Sequence, residues 1–208
     1  MIIVDTALQA REDSGNPIRV GMIGAGFMGH GLLNQIVNSV PGERLVAVYN
    51  RHLEKAIDAY RYGGVEPVTV ETQKQLEDAI AGGRAAVTED WTLLTRSSQI
   101  DALVDVTGAV EFGARMAMDA FEHGKHVILM NAELDATIGP ILHLHAQRAG
   151  VIISACDGDQ PGVEINLYRY VKGLGLIPRV MGTSKACRIA TAIRRRRRDS
   201  PSNGDKTQ

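Results

Sequence analysis

Cysteine is nearly absent from this chain of 208 residues, which holds only Cys156 and Cys187. Two thiols so placed give neither a disulfide framework nor paired metal-ligand spacing, which excludes a stapled secreted scaffold and suits a reducing compartment. No apolar run reaches about 18 residues and the mean hydropathy is -0.08, so no membrane span is expected. The start, MIIVDTALQARED, has too short an apolar stretch before Asp5 to serve as the core of a secretory signal. A cytoplasmic location is the expectation that follows. Aromatics are scarce at 4%, yet 44% hydrophobic and 23% charged residues suffice for the core of one soluble domain.

The net charge of -1 conceals a division near Gly182. Residues 183–208 carry Lys185, Arg188, Arg194 to Arg198 and Lys206 against Asp199 and Asp205, leaving that tail basic and the preceding residues acidic. All aromatics, from Phe27 to Tyr170, also precede the tail. Its polar composition cannot offset the entropy of ordering, so a disordered basic tail is expected over 183–208. A run of arginines attracts phosphate, and nucleic-acid binding is the function that run alone would suggest. No aromatic interleaves with the arginines and no recognisable nucleic-acid module accompanies them, so that reading stays an alternative.

Between Ile18 and Val180 short β-branched runs alternate with helical stretches, the pattern of a parallel sheet covered by helices. Strands are expected at 18–23, 44–50, 85–89, 102–107, 126–130 and 151–155. Helices are expected between the first two of these and at about 53–61, 72–81, 110–123 and 139–148. Glycines at 63, 82, 124 and 150 fall where helix C-caps belong. The fold class is therefore α/β, a Rossmann-type, doubly wound and mainly parallel sheet over residues 17–160. Residues 1–16 are expected as an N-terminal arm with a short helix after Asp5, broken at Gly15-Asn16-Pro17.

The chemistry concentrates in Gly24-Ala25-Gly26-Phe27-Met28-Gly29, a GxGxxG that follows the first strand and opens an amphipathic helix. The first glycine permits a tight turn, the second lets backbone approach a pyrophosphate, and the third lets helix and strand pack closely. The helix N-terminus then faces the phosphates. Dinucleotide sites selective for NAD place an Asp or Glu about 20 residues beyond the glycines, on the ribose 2′-hydroxyl. Here the second strand ends at Asn50-Arg51. An amide followed by a guanidinium can hold a 2′-phosphate that a carboxylate would repel, so NADP(H) is expected over NAD(H). The competing reading makes Arg51 a solvated surface charge.

At the end of the fourth strand, Thr107 and Gly108 either approach the nicotinamide side or form an ordinary strand-to-helix turn. Asn131, Glu133 and Asp135, and the loop from Asp157 to Gly162, open on the same edge and could meet a substrate. His143 and His145 fall on different faces of one expected helix, so no metal site is expected. Cys156 reads as a small buried residue. Catalytic residues are left unassigned.

The segments IRVGMIGAGFMG, AVYNRH, DVTG, HVILMNAELDATIGP and ACDGDQPG resemble the N-terminal NAD(P)-binding part of homoserine-dehydrogenase-like oxidoreductases. The resemblance is to the bacterial group that includes deoxyxylulose-phosphate-reductoisomerase-like enzymes with a C-terminal SAF-type domain, and it covers about residues 1–182. It implies a small hydroxy or carbonyl compound, or a sugar phosphate, as substrate, and a second, substrate-holding domain that residues 161–182 would begin, and it allows a homo-oligomer in the full-length protein. It also implies that Gly24, Gly26 and Gly29 hold the pyrophosphate, Asn50 and Arg51 the 2′-phosphate, and Thr107 and Gly108 the nicotinamide side. Homoserine dehydrogenases carry Ala-Asn-Lys after the fifth strand, where this chain has Met130-Asn131-Ala132-Glu133. Lys55, Lys74, Lys125 and Lys172 are all expected away from that sheet edge.

After Gly182 the family typically continues with Asn-Ile-Lys-Gly-Leu-Gln-Asp-Arg-Tyr-Arg. Codons compatible with Thr183 to Ala192, read one base earlier, encode that stretch. A truncating frameshift near Gly182 is therefore expected, leaving a cofactor module without its catalytic partner. A binding or sensing module without turnover is the alternative from another class.

Overall fold

The computed structural model describes residues 4–156 and 162–181. The basic tail, Cys187 and the loop over 157–161 lie outside the described residues. Two compact units divide the chain, Met1–Cys156 and Asp157–Gln208.

The first unit is built on seven parallel strands: β1 (Ile18–Ile23), β2 (Glu43–Tyr49), β3 (Val68–Thr69), β4 (Ala86–Thr88), β5 (Ala102–Asp105), β6 (His126–Leu129) and β7 (Ile153–Ala155). Their spatial order is β3-β4-β2-β1-β5-β6-β7. The chain moves outward from β1 to one side, then returns to lay β5 against its other side. That reversal opens a crevice beyond the carboxyl ends of β1 and β5, where ligands of such sheets bind. Helices α1 (Val4–Asp13), α2 (Phe27–Ser39), α3 (Leu53–Tyr62), α4 (Gln73–Ala81), α5 (Thr92–Arg96), α6 (Val110–Glu122) and α7 (Ala132–Ala149) complete the unit.

The buried positions of the strands are apolar apart from Thr88 and Asp105, because both faces of the sheet are covered. Ile23, Ala47, Leu103, Val127 and Leu129 pack with Met116 and Phe121 in one core cluster. Val20, Met22, Val48 and Val104 pack with Leu33, Ile36 and Tyr60 in the other. Tyr60 is fully buried in the second cluster, and its hydroxyl donates to the Leu45 carbonyl at 2.9 Å.

Three elements of this unit depart from the sequence reading: β3, α7 and the five-residue α5, which no expected helix covers. The two-residue β3 was not expected, since a strand so short leaves no alternation to detect. Helix α7 begins at Ala132, seven residues before the expected start. Pro140 lacks the amide a helix interior needs, and Ile138 is non-helical at φ -137°, so a kink hides the first half in the sequence. The N-terminal segment docks through Glu12, whose carboxylate accepts from the Gly42 amide at 2.9 Å and from Arg44 at 2.5 Å.

In the second unit, α8 (Gly162–Gly173) carries Lys172, whose Nζ lies 5.9 Å from the Tyr168 ring centroid.

Candidate functional site

The turn after β1 is shaped by its glycines. Gly24 has φ +104°, a conformation that L side chains rarely adopt, and a Cβ there would meet Thr107 Cγ2 at 3.1 Å. At Gly29, on the buried side of α2, a Cβ would meet the Gly24 carbonyl oxygen at 3.2 Å, so helix and strand approach as the sequence pattern requires. Gly26 is different, because a Cβ there would meet nothing within 4 Å. Space stands open over the middle of the turn. Ala25 is buried, while Phe27 and Met28 are exposed at 92% and 57%.

Helix α2 starts at this turn with no side-chain cap and no acid in its first turn. By contrast, α4 has a full capping box from Thr72 and Gln75, and α7 is capped by Asn131. The first amides of α2 thus keep their hydrogen-bonding capacity and the positive end of the helix dipole for an external anion.

A cleft of about 420 Å³ beside this turn is lined by Gly24 to Gly26, Tyr49 to His52, Lys55, Val106, Thr107, Ala109 and Phe112. It brings together Gly24, Asn50, Arg51 and Thr107, which are far apart in sequence. Gly108, at φ +67°, is exposed in the neighbouring turn. Tyr49 and Phe112 stack at 5.7 Å between ring centroids and form an apolar wall. Burial raises the Tyr49 hydroxyl above its usual pKa, opposed by Arg51 and reinforced by Asp90 and Glu89.

The side chain of Asn50 is engaged within the protein: its Oδ1 accepts from the Ala25 amide at 3.3 Å and its Nδ2 donates to the His52 carbonyl at 2.8 Å. It ties the glycine turn to the end of β2. Arg51 is exposed and makes no hydrogen bond or ion pair among the described residues. Lys55, in the first turn of α3, is likewise exposed and lines the same cleft. Expecting no lysine at this sheet edge was therefore incorrect for Lys55, because the turn into α3 carries its side chain back over the strand ends. Glu89 also reaches this end, where its Oε1 accepts from the Leu53 amide at 3.1 Å.

At the end of β5, the carboxylate of the fully buried Asp105 accepts from the Thr107 amide at 2.9 Å and from the Thr107 hydroxyl at 2.7 Å. Asn131, also fully buried, donates to Asp105 Oδ2 at 3.0 Å and caps α7 through the Leu134 amide at 3.1 Å. Asn131 is thus a buried structural residue rather than a group facing a substrate. Glu133 stands exposed in the first turn of α7. Cys156 is half-buried rather than buried. His143 is exposed, and among the described residues no group of three or more His, Cys, Asp or Glu is placed to hold a metal ion. Among the same residues no helix is long and apolar enough to cross a membrane.

Residues 18–129 match the oxidoreductase family with an NAD-binding Rossmann fold, GFO_IDH_MocA. The chain belongs to this family. It is similar to homoserine dehydrogenase from Pseudomonas aeruginosa, with 27% identity over 66% of this chain and 28% of that protein. A second homoserine dehydrogenase, from Methylobacillus glycogenes, is 30% identical over 58% of this chain and 26% of its own length. Among solved structures, homoserine dehydrogenase from Thiobacillus denitrificans superposes with a TM-score of 0.51 and 26% identity, over 67% of this chain and 29% of that one. An NAD-binding oxidoreductase from Klebsiella pneumoniae shares the fold at a TM-score of 0.52 and 20% identity, over 76% of this chain and 39% of its own. The chain thus spans between a quarter and three-tenths of the homoserine dehydrogenases it matches. In this NAD-binding family fold, the glycine turn and its cleft lie at the reversal of strand order.

Proposed function

We propose that the chain is an NADP(H)-binding module of a homoserine-dehydrogenase-like oxidoreductase whose substrate is a small hydroxy or carbonyl compound or a sugar phosphate. The observation that carries the reading is the pair of exposed cations, Arg51 and Lys55, beside a glycine turn whose centre is open and whose helix is uncapped. The open space over Gly26 fits a pyrophosphate, and the first amides of α2 would hold its oxygens. Arg51 offers a planar fork and Lys55 a point charge, both suited to a 2′-phosphate. Asn50 would act by holding the turn in register, since its amide is already engaged. A nicotinamide supplies or accepts a hydride when bound; the Thr107–Ala109 turn would form the wall on that side. The low cysteine content fits work in the reducing cytoplasm.

Hydride transfer also needs a substrate held in line and a proton donor. Asn131 is spent on Asp105 and Leu134, and Met130-Asn131-Ala132-Glu133 lacks the lysine of homoserine dehydrogenases. That observation favours a second reading, dinucleotide binding without turnover by this 208-residue chain. Titration with NADPH and NADH, followed by thermal shift, tests the first reading: NADPH should bind more tightly and raise the melting temperature. Assays with homoserine, aspartate semialdehyde and deoxyxylulose phosphate test the second. Turnover of any of them would overturn it; failure of both dinucleotides to bind would overturn the first.

A further inference from the structure

The geometry points to Asp105 as a positioning residue for the nicotinamide half of the dinucleotide, acting through Thr107 and held in turn by Asn131. This inference rests on the dinucleotide reading above and goes beyond it by naming the part of the ligand that the residue serves. Asp105 ends a strand whose preceding residues, Ala102, Leu103 and Val104, are apolar and buried. A carboxylate at such a position is costly to desolvate, and no cation pairs with it among the described residues. Its compensation is three donated hydrogen bonds: Thr107 N and Oγ1 on Oδ1, and Asn131 Nδ2 on Oδ2.

Those bonds join the turns after β5 and β6 at the carboxyl edge of the sheet, and the Thr107 methyl carries the contact to a third. Asn131 belongs to the turn after β6 and also donates to the Ala109 carbonyl at 3.3 Å. Thr107 belongs to the turn after β5, and its hydroxyl accepts from the Ala109 amide at 3.3 Å. The Thr107 methyl stands where a Cβ on Gly24 would come within 3.1 Å, so the network ends against the first glycine of the turn after β1. Helix α6 closes over the pair so tightly that a Cβ on Gly113 would lie 2.6 Å from Asp105 Oδ2 and 3.0 Å from Asn131 Nδ2. The phosphate-binding turn and the two cations are built from other residues. Loss of the network should therefore loosen one half of the cleft and spare the other.

The test compares NADPH with the same molecule lacking nicotinamide, the 2′-phosphate of ADP-ribose, by calorimetric titration of the 208-residue chain. In Asp105→Asn an amide faces the amide of Asn131, placing donor against donor in a buried site. NADPH should bind at least 10-fold more weakly, while the fragment changes less than 2-fold. The exchanged pair, Asp105→Asn with Asn131→Asp, restores a donor facing an acceptor and keeps an acceptor for the Leu134 amide, but it loses the bond to the Ala109 carbonyl. It should recover part of the NADPH affinity that Asp105→Asn loses. Should Asp105→Asn fail to fold, Thr107→Val keeps the methyl and puts a second methyl in place of the hydroxyl that donates to Asp105, and about a 3-fold loss confined to NADPH is expected.

Equal weakening of NADPH and the fragment would overturn the proposal, as would no weakening of either. So would a parent chain that binds the two equally. If the parent binds neither NADPH nor NADH, the dinucleotide reading itself falls. That outcome is distinct from a failure of the Asp105 variants in a chain that binds.

Discussion

The two edges of the sheet handle charge in opposite ways. At the amino edge, Arg19 grips Asp101 through Nη2 at 2.8 Å and Nε at 3.1 Å, and its own amide donates to the same carboxylate at 2.8 Å. Arg44 pairs with Glu12. Lys125 is buried there; burial lowers its pKa, opposed by the nearby Asp101 charge. At the carboxyl edge, Arg51 and Lys55 stand exposed with no ion pair among the described residues, although Glu89 and Asp90 lie at the same end, while the buried acid, Asp105, is held by neutral donors. The pairs of the amino edge are satisfied within the fold. An edge that leaves cations and helix amides unspent has capacity for an anion from outside.

The sharpest way to break this comparison is to fill the open position at the middle of the glycine turn. In Gly26→Val the new side chain meets no protein atom within 4 Å of its Cβ, and the backbone at φ -84°, ψ -165° accepts a β-branched residue. Stability should change little. Dinucleotide affinity should fall about 100-fold or more, roughly 2.7 kcal/mol, because the side chain would occupy the path of the pyrophosphate. Calorimetric titration with NADPH, paired with thermal unfolding, checks both halves. Unchanged affinity would mean that the open space serves another purpose.

The next effect is smaller and concerns the unspent cations. Replacing Arg51 by Ala should weaken NADPH by about 10-fold, roughly 1.4 kcal/mol, and leave NADH nearly unchanged. Lys55→Ala should act in the same direction by a smaller factor, since a point charge on a flexible stem lacks the fork. The measurement is the ratio of the two dissociation constants in each variant. A ratio that stays fixed would make both residues solvated charges, and the contrast between the edges would lose its functional meaning.

How far this contrast could be read in the sequence depends on the range of the interactions. The glycine turn, β1 and α2 were legible because motif, strand and helix are contiguous and each follows a local rule. The role of Asn50 was not, since its bond to Ala25 spans 25 residues and requires β1 and β2 to lie side by side. Lys55 was missed for a related reason. A search for residues at strand ends overlooks a side chain that the first turn of the next helix carries back over the sheet. The network of Asp105, Thr107 and Asn131 needs β5 beside β6, and the first half of α7 needed Asn131 recognised as a cap ahead of the helix expected from 139. Pairing at the amino edge was equally hidden, with 82 positions between Arg19 and Asp101.

That amino-edge pair supplies the smallest effect and the control for the whole comparison. Burial raises the Asp101 pKa, but the side-chain and backbone bonds from Arg19 and the Arg19 and Lys125 charges outweigh it and hold it below its usual value. A carboxyl group so shifted adds stability above its unfolded pKa of about 4, and that stability is lost as pH falls through the folded value. The Asp101 side chain is 40% exposed, so solvent screening limits the contribution to about 1 kcal/mol. Asp101→Asn should therefore lower the melting temperature by about 2–4 °C at pH 7. The difference from the parent should shrink between pH 4 and pH 2, where the parent loses the same charge. NADPH affinity should not move, because Asp101 pairs with Arg19 at the edge of the sheet opposite the cleft. A stability gap that persists unchanged to pH 2 would assign the loss to packing rather than to the ion pair. A change in NADPH affinity would show that the two edges are coupled through β1, the strand that carries Arg19 at one end and leads into Gly24 at the other.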